Sequence, residues 1–325
     1  MAVLVTGAAG FIGMHVSAAL LKRGEQVVGI DNINDYYRVA LKEARLATLT
    51  GQRGFRFERL DLAETEALLR FTKAHPEIDR VVHLAAQPGV RYSVDHPRAY
   101  VTANLVGQLE VLEACRHLPK LQHLVFASSS SVYGGNTKLP FAIEDPVDQP
   151  QSLYAATKKS DELMSFCYAH LYGLPSTGLR FFTVYGPWGR PDMAPWLFTE
   201  AIIAGKPIKL FNHGKMRRDF TYIDDIVAGV VACLDKPPPA DAKPPYRLYN
   251  IGNSNSEELE RFVAILEAAI GKKAIVERVP MPPGDIEATY ADISATTRDF
   301  DFVPKTALAE GLPRFVQWYR DYHKV

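Results

Sequence analysis

Three glycines, each three residues after the last, follow an apolar run at the start of this 325-residue chain. The segment VLVTGAAGFIGMHV places Gly7, Gly10 and Gly13 where a predicted strand gives way to a predicted helix. Glycines at such a junction permit a tight turn, let a pyrophosphate approach the backbone and bring the helix close to the strand. The second predicted strand ends at Asp31, whose carboxylate suits the hydroxyls of an adenosine ribose and repels a 2′-phosphate. This segment therefore predicts a dinucleotide site that favours NAD over NADP.

Short β-rich runs alternate with helical patterns through the first half of the chain, including a long predicted helix from Pro97 to Cys115. Such alternation predicts an α/β fold with a Rossmann-type doubly wound parallel sheet. The pattern becomes irregular after about residue 180, which indicates a smaller mixed α/β C-terminal domain for the substrate. YRLYNIG, after a Pro-rich surface loop at 236–246, is interpreted as one more strand of the sheet. We expect an NAD-binding domain over 1–180 with about 219–252, and a substrate-binding domain over about 181–218 and 253–325.

The overall charge excludes one broad class of partner. Lys plus Arg and Asp plus Glu both number 37, so no global attraction to nucleic acid or to an anionic membrane is expected. Three widely separated cysteines lack metal-ligand spacing and are interpreted as reduced residues, and we expect no metal site. No apolar run reaches the length of about 18 residues that a membrane span needs. We therefore predict a cytoplasmic protein.

A tyrosine and a lysine stand four residues apart in SLYAATKKSDEL, and hence on one face of a predicted helix. A tyrosine is a poor base near neutrality, but a nearby ammonium and an oxidised nicotinamide favour the phenolate of Tyr154. Together with the glycine motif and the serine-rich strand end VFASSSSVYGG, Tyr154 and Lys158 make the chain closely resemble the extended short-chain dehydrogenase/reductase superfamily of nucleotide-sugar enzymes. Within it, AAQPGVRYSVDHP, ASSSSVYGGN, RFFTVYGPWGRPDMA and MRRDFTYIDDIV resemble segments of the UDP-glucuronate 4-epimerases.

The resemblance implies an isomerase that interconverts UDP-glucuronate and UDP-galacturonate with tightly held NAD and no net redox change. Tyr154 would take the proton of the sugar 4-hydroxyl while hydride passes from C4 to the nicotinamide. Rotation of the 4-keto sugar would then present its other face for hydride return. Lys158 would hold the nicotinamide ribose and tune Tyr154, and Ser129 would hydrogen-bond the sugar oxygen.

Cofactor contacts are expected after each of the first strands of the sheet. Asp61 is predicted beside the adenine, with helix N-capping as its alternative role. The complete predicted set of cofactor-binding residues is Gly7, Gly10, Phe11, Ile12, Gly13, Asp31, Asn32, Asp61, Leu62, Leu84, Ala85, Ala86, Gln87, Tyr154 and Lys158.

Hydroxyls stand where related dehydratases and decarboxylases carry acidic residues, at Ser130 and Ser131. Oxidation of glucuronate at C4 leaves a carboxylate β to a ketone, and such acids lose carbon dioxide easily. Neutral donors that hold the carboxylate out of line with the ketone π system would protect the intermediate. Our hypothesis is that Ser130, Thr183 and Arg190 supply this grip, with a surface-loop role as the alternative for Arg190.

The resemblance also implies that UDP lies in the second domain. Arg218 is similar to the superfamily's diphosphate-binding arginine, Phe211 is expected to pack on uracil, and Asp285 to contact the nucleotide ribose. Related hexose epimerases often carry a second arginine at the position of Pro282, so Arg91 is a candidate partner of Arg218. Plain core packing for Phe211 and a local salt bridge for Arg91 are the alternatives.

Asn104 interrupts the apolar face of the long predicted helix, and we expect it to satisfy backbone groups beside the site. Relatives usually pair through two long helices, which implies a homodimer joined by a four-helix bundle of residues around 97–117 and 152–173. A UDP-glucose or UDP-galactose 4-epimerase and a UDP-glucuronate decarboxylase are the enzymatic alternatives. An NAD-sensing protein without catalysis is the alternative from another class.

Overall fold

The computed structural model describes residues 1–282 and 285–325. Twelve strands lie within these ranges: β1 Ala2–Thr6, β2 Val27–Asp31, β3 Phe55–Arg59, β4 Ile78–His83, β5 His123–Ser129, β6 Ser176–Phe181, β7 Thr183–Tyr185, β8 Pro207–Leu210, β9 Arg217–Tyr222, β10 Tyr246–Ile251, β11 Ser256–Glu258 and β12 Ile275–Arg278.

Twelve α-helices connect and cover the strands of the described chain: α1 Phe11–Lys22, α2 Val39–Ala47, α3 Ala67–Lys73, α4 Tyr92–Asp95, α5 Pro97–Tyr100, α6 Gly107–Arg116, α7 Leu153–Tyr172, α8 Ala194–Ile203, α9 Ile223–Leu234, α10 Leu259–Ile270, α11 Ser294–Phe300 and α12 Leu308–His323. A π-helical segment, Val101–Val106, separates α5 from α6. Single 3₁₀ turns cover Ser130–Tyr133 and Phe211–Gly214.

Seven of these strands form one parallel sheet in the order β10-β6-β5-β4-β1-β2-β3. The chain order reverses at β1, so a crevice opens at the carboxyl ends of β1 and β4, where doubly wound folds bind their ligands. The predicted Rossmann-type sheet is confirmed, and YRLYNIG forms its edge strand β10 as predicted.

Alternate residues of the central strands pack on opposite faces of the sheet. Val3 and Val5 face a core built with α1, α9 and α11. Ala2 and Leu4 face a second core, to which α3, α6 and α7 contribute. Helices therefore cover both faces, which explains why most strands are nearly continuous apolar runs.

The C-terminal part has its own apolar core, drawn from α8, α10, α12 and the strands β8 and β9. Its strands form a three-stranded sheet of order β11-β9-β7 and a parallel pair of β12 with β8. Strand β7 follows β6 after one residue, so this small sheet begins at the carboxyl edge of the large one.

The long helix predicted from Pro97 to Cys115 is not continuous. The chain is helical over most of that range, but the π-helical segment interrupts the α-helical hydrogen bonds between α5 and α6. Two of the three cysteines, Cys115 and Cys233, are buried, whereas Cys167 is exposed on α7. Among the residues described, no helix combines the length and apolarity needed to cross a lipid bilayer.

Candidate active site

Close backbone contacts require glycine at all three motif positions. Gly7 has φ +73°, and a Cβ there would lie 2.8 Å from the amide nitrogen of Ala85. A Cβ on Gly13 would lie 2.0 Å from the carbonyl oxygen of Gly7, and one on Gly10 would lie 2.9 Å from that same oxygen. Only glycine fits these positions without displacing backbone, so the amino end of α1 is open to a pyrophosphate.

Asp31 stands at the end of β2 with a carboxylate that keeps acceptor capacity. Its Oδ2 accepts a hydrogen bond from the Ala9 amide at 3.1 Å, and its Oδ1 accepts one from the Ile33 amide at 2.8 Å. A carboxylate has about four acceptor sites, so both oxygens can still accept hydrogen bonds from ribose hydroxyls. The residues present therefore fit NAD.

Asp61 makes a turn rather than a helix cap. Its Oδ1 accepts from the Ala63 amide at 2.9 Å, and its Oδ2 accepts from the side-chain amide of Asn32 at 3.0 Å. Helix α3 begins later and has Glu66 at its N-cap, so the alternative of helix capping by Asp61 is wrong.

One cavity of about 420 Å³ runs from the glycine turn past the end of β5 to the C-terminal part. Twenty of the predicted site residues line it: Gly7, Gly10, Phe11, Ile12, Gly13, Asp31, Asn32, Asp61, Leu62, Leu84, Ala85, Ala86, Ser129, Ser130, Tyr154, Lys158, Thr183, Arg190, Arg218 and Asp285. The three that do not are Gln87, Arg91 and Phe211.

Tyr154 and Lys158 lie one turn apart near the start of α7, and both line the cavity. The ammonium of Lys158 is buried and donates to the Ala127 carbonyl at 3.0 Å, which ties α7 to the end of β5. Burial lowers the pKa of Lys158, but the nearby Asp161 carboxylate and Tyr154 phenol outweigh it, so the pKa lies above its ordinary value. Lys158 is therefore a permanent cation near neutral pH.

The four consecutive serines have different hydrogen-bond partners. Ser128 donates to Glu162 Oε1 at 2.7 Å, a contact that holds strand to helix. Ser129 Oγ accepts from the Ser131 amide at 3.1 Å and keeps its own proton available for donation. Ser130 begins the 3₁₀ turn, and its side chain is not needed for the cap. All four serines line the cavity, and Ser128 in addition joins the strand to the helix.

Arg190 is oriented by an acid that the sequence analysis did not select. Its guanidinium donates from Nε to Asp192 Oδ1 at 3.0 Å and from Nη2 to Asp192 Oδ2 at 2.5 Å. The Tyr36 hydroxyl donates to Asp192 Oδ2 at 3.1 Å. Burial raises the pKa of Asp192, but Arg190 and Tyr36 outweigh burial and hold it below its usual range. Arg190 lies in a loop, and its side chain is 22% exposed and lines the cavity.

A buried arginine on α2 fixes the loop that precedes Arg190. Arg45 on α2 is fully buried and donates to the Trp188 carbonyl at 2.7 Å and to the Gly189 carbonyl at 3.1 Å. Trp188 has a positive φ of 64°, so this loop is held in an unusual backbone conformation by a charged side chain. An arginine in the otherwise ordinary helix pattern of α2 was the only sequence signal.

Three of the four residues predicted to contact UDP are joined through one carboxylate. Arg91 Nη2 donates to Asp285 Oδ2 at 3.0 Å, and Arg218 Nη2 donates to Asp285 Oδ1 at 2.9 Å. The Arg91 guanidinium also lies 4.2 Å from the ring centroid of Phe211. Phe211 is only half-buried and belongs to none of the apolar cores, so the core alternative is wrong. The Arg91 ion pair spans distant segments instead of being local.

Asn104 lies in the π-helical segment and is buried. Its Oδ1 accepts from the Gln87 amide at 2.7 Å, while its Nδ2 donates to the Gln87 carbonyl at 3.2 Å and to Thr157 Oγ1 at 3.0 Å. The predicted role in satisfying backbone groups is confirmed. The side chain fixes the loop after β4 against α7.

A buried ion pair supports the same end of the sheet. Arg180 on β6 donates to Glu162 through Nε at 2.8 Å and through Nη2 at 2.9 Å. Both side chains are almost fully buried. The pair joins α7 to β6 beside Ser128, which is the register partner of Arg180. A glutamate on the inward face of a helix was its only sequence signal.

Comparison with known proteins agrees with the fold and with the dinucleotide motif. Residues 3–252 match the NAD dependent epimerase/dehydratase family. The chain is 48% identical to UDP-glucuronate 4-epimerase 4 of Arabidopsis thaliana, over 99% of this chain and 76% of that one. It is 46% identical to a probable UDP-glucuronate 4-epimerase of Rhizobium meliloti, strain 1021, over 98% of this chain and 97% of that one.

A solved structure is similar over the whole length. The UDP-glucuronic acid 4-epimerase from Bacillus cereus, in complex with UDP-glucuronic acid and NAD, superposes with a TM-score of 0.91. It is 36% identical, and the alignment covers 99% of this chain and 100% of that one. The sheet order, the glycine turn and the family match agree, and the chain belongs to the NAD dependent epimerase/dehydratase family.

Proposed function

We propose that this protein is an isomerase that converts UDP-glucuronate reversibly to UDP-galacturonate with tightly bound NAD. The observation that carries the proposal is one continuous cavity lined by the glycine turn, by Tyr154 and Lys158, by Thr183 with the serines, and by Arg190. The cavity thereby combines a place for a dinucleotide, a proton acceptor, and hydrogen-bond donors that would hold a sugar carboxylate. The named activity of the relatives supports the same assignment.

Bound NAD would supply the hydride-transfer chemistry at C4 of the sugar. Gly7, Gly10 and Gly13 would seat its pyrophosphate, and Asp31 its adenosine ribose. Tyr154 would accept the proton of the 4-hydroxyl and give it back to the 4-keto oxygen. Lys158 would favour the Tyr154 phenolate by its positive charge. The Ser129 hydroxyl would donate a hydrogen bond to the same sugar oxygen.

Arg190, Thr183 and Ser130 would hold the sugar carboxylate. Their chemistry suits that task, because a guanidinium and two hydroxyls donate hydrogen bonds to a carboxylate without acting as acids or bases near neutrality. Keeping the carboxylate fixed would prevent loss of carbon dioxide from the 4-keto acid. Carboxylates do line the cavity, and among the described residues they are Asp31, Asp61 and Asp285, none of which belongs to the serine turn.

Arg218, Arg91, Asp285 and Phe211 would form the UDP end of the site. Arg91 can supply the second positive charge that related hexose epimerases place at the position of Pro282, since it shares the carboxylate of Asp285 with Arg218. We also propose that residues 181–218 and 253–325 act as the UDP-sugar-binding domain, and 1–180 with 219–252 as the NAD-binding domain.

A homodimer joined by a four-helix bundle of α5 to α7 is proposed from the surface of those helices. Leu109, Leu163 and Phe166 are exposed large apolar side chains on α6 and α7. Side chains of this kind on paired helices favour burial against a second copy. We further propose a cytoplasmic location. Light scattering at micromolar concentration tests the dimer, and a monomer would contradict it.

Proton NMR of the purified protein with UDP-glucuronate and no added cofactor tests the function. Appearance of UDP-galacturonate is expected, and it would establish both the reaction and the retained NAD. A UDP-pentose as the main product would indicate a decarboxylase instead. If no reaction occurs even with added NAD, the neutral UDP-hexoses are the next substrates, and inactivity with all of them would favour a non-catalytic NAD-binding protein.

One observation favours a UDP-glucose or UDP-galactose 4-epimerase as the second candidate. The charge of Arg190 is already matched by Asp192, so a neutral substituent at C5 would not leave an unpaired cation in the cavity wall. Equal kcat/KM values for UDP-glucose and UDP-glucuronate would support this second activity.

A further inference from the structure

Asp161 is a buried carboxylate in direct contact with Lys158. It lies one turn further along α7, its Oδ2 is 3.0 Å from Lys158 Nζ, and its side chain is 1% exposed. Its other oxygen, Oδ1, is buried and has no hydrogen-bond partner among residues 1–282 and 285–325. A buried carboxylate costs free energy unless a cation and hydrogen bonds compensate it. The contact with Lys158 is the compensation that this site provides.

The two hydrogen bonds of the Lys158 ammonium leave its third N–H donor available. An ammonium has three N–H donors, and two are used by the Ala127 carbonyl and by Asp161, each at 3.0 Å. The third donor remains for the cavity, which Lys158 lines. Asp161 therefore helps to determine which way the ammonium points, and not only its charge.

Glu162, the next residue, does not share this role. Its carboxylate is paired through two hydrogen bonds with Arg180, and Lys159 Nζ lies 3.7 Å from its Oε2. Two cations thus compensate the charge of Glu162. The negative charge of Asp161 is balanced by Lys158 alone among its contacts.

The other groups around the pair do not replace this charge. Burial lowers the pKa of His83 on β4 to about 3, so its ring is neutral near pH 7. Tyr100 faces Tyr154 edge-on, with ring centroids 6.0 Å apart, and its phenol is also neutral. Arg190, which also lines the cavity, is paired with Asp192. The cations that interact with the Tyr154 phenol are therefore Lys158 and Arg190, which are paired with Asp161 and Asp192 respectively.

We propose that Asp161 is a positioning residue that holds the Lys158 ammonium and, through its negative charge, sets the pH at which Tyr154 becomes a base. A neighbouring carboxylate opposes ionisation of a phenol, whereas an ammonium favours it. Because the three groups interact, Tyr154 and Lys158 lose protons as a coupled pair, and Asp161 raises the pH of the first loss. The inference rests on the proposed role of Tyr154 as base.

The test is a titration of the NAD-bound protein without any sugar. The phenolate of Tyr154 is read as the near-ultraviolet absorbance difference between a protein and its Tyr154→Phe counterpart. Asp161→Asn keeps an oxygen that accepts from Lys158 but removes the charge. We expect its phenolate midpoint to fall by about one pH unit, which corresponds to about tenfold more phenolate on the acid side. Because no sugar is used, a wrong substrate assignment would not affect the result.

Asp225→Asn is the matched control, since Asp225 is a buried carboxylate that accepts from the Lys305 and Thr306 amides far along the chain from α7. It is expected to lower the melting temperature without moving the phenolate midpoint. An unchanged midpoint in folded Asp161→Asn, or an equal shift in Asp225→Asn, would overturn the proposal. Should Asp161→Asn not fold, Asp161→Ser removes the same charge with a smaller side chain, and its midpoint decides the question.

Discussion

Arg190 and Asp192 form a bidentate ion pair at the wall of the cavity, with Nε–Oδ1 and Nη2–Oδ2 separations of 3.0 and 2.5 Å. The pair uses the guanidinium edge that carries Nε and Nη2, which fixes the orientation of the arginine. Its remaining N–H groups stay available. In the function proposed above, the Asp192 carboxylate would thereby orient Arg190 toward the carboxylate of the substrate.

Replacing Arg190 with Met should therefore affect the acidic sugar most. We expect kcat/KM for UDP-glucuronate to fall about 100-fold, as for loss of a charge-assisted hydrogen bond, and kcat/KM for UDP-glucose to change much less. Release of UDP-pentose should rise, because the keto acid is held less firmly. Steady-state kinetics with both substrates and NMR of the products measure this. Unchanged turnover and products would contradict the proposal that Arg190 holds the carboxylate of the sugar.

Asp192→Asn is the companion variant for the same prediction. It keeps the shape of the side chain but releases the charge of Arg190, so preference for UDP-glucuronate over UDP-glucose should increase. A loss of preference equal to that of Arg190→Met would mean that Asp192 serves only the fold.

Tyr154→Phe should remove the proton acceptor and leave binding intact. We expect kcat to fall by about 10²–10⁴-fold, the usual contribution of a positioned acid or base, with bound NAD retained. Tyr168→Phe removes a hydroxyl from the same helix, where it contacts Glu113 away from the cavity, and should leave kcat unchanged. Equal kcat values for Tyr154→Phe and wild type would exclude Tyr154 as the base.

Gly13→Ala should weaken NAD binding. Its Cβ would lie 2.0 Å from the Gly7 carbonyl oxygen, so the turn must move by more than a side chain can absorb. The amount of NAD released on acid denaturation of the purified protein should fall at least to about half. Gly107→Ala is the control, because its Cβ would meet Leu62 at an ordinary 3.6 Å within a helix. It should keep NAD and gain about 0.5–1 kcal/mol of stability.

His123 should make folding stability sensitive to acid. It is buried, and its Nδ1 donates to the Leu234 carbonyl at 3.2 Å, so its Nε2 accepts from the Thr177 hydroxyl at 2.9 Å. Burial lowers the pKa of His123 to about 4. The unfolded chain, with a pKa of about 6.5, then binds a proton that the folded chain does not, and stability falls as pH drops from about 6.5 to 4.

His123→Gln isolates this effect, because an amide can replace both hydrogen bonds and does not titrate. Between pH 7 and pH 5, wild type should lose about 2 kcal/mol more of its unfolding free energy than the variant does. Urea unfolding at the two pH values measures the difference, to which carboxylates common to both proteins contribute equally. Parallel pH profiles would show that His123 does not titrate between the two states.

The sequence was sufficient for the parts of the site that depend on local pattern. The glycine turn, Asp31 and the Tyr154–Lys158 pair follow from spacing along one strand or one helix, and all of them line the cavity. The doubly wound parallel sheet could be predicted because alternating strands and helices allow few topologies.

Several contacts that sequence reasoning missed join distant segments through charged side chains. Arg180 meets Glu162, Arg45 meets the carbonyls of the Trp188 loop, and Arg91 meets Asp285. In the sequence each of these residues is compatible with a solvated surface, and only the folded chain brings the partners together. Buried ion pairs leave no periodic signal, so they were not predictable from pattern.

The break in the long helix was equally hidden. Nothing in the sequence of Val101–Val106 interrupts a helical pattern, because the change is one additional residue within otherwise regular backbone.

That additional residue has a geometric consequence for evolution and design. Each residue turns a helix by about 100°, so the π-helical segment rotates α6 relative to α5 by roughly that angle compared with an unbroken helix. The helical segment can thus direct Tyr100 toward Tyr154 and Asn104 toward Gln87 while Leu109 faces outward. Deleting a single residue there would uncouple the two aims, so the length of this segment is constrained even where its side chains are free to vary.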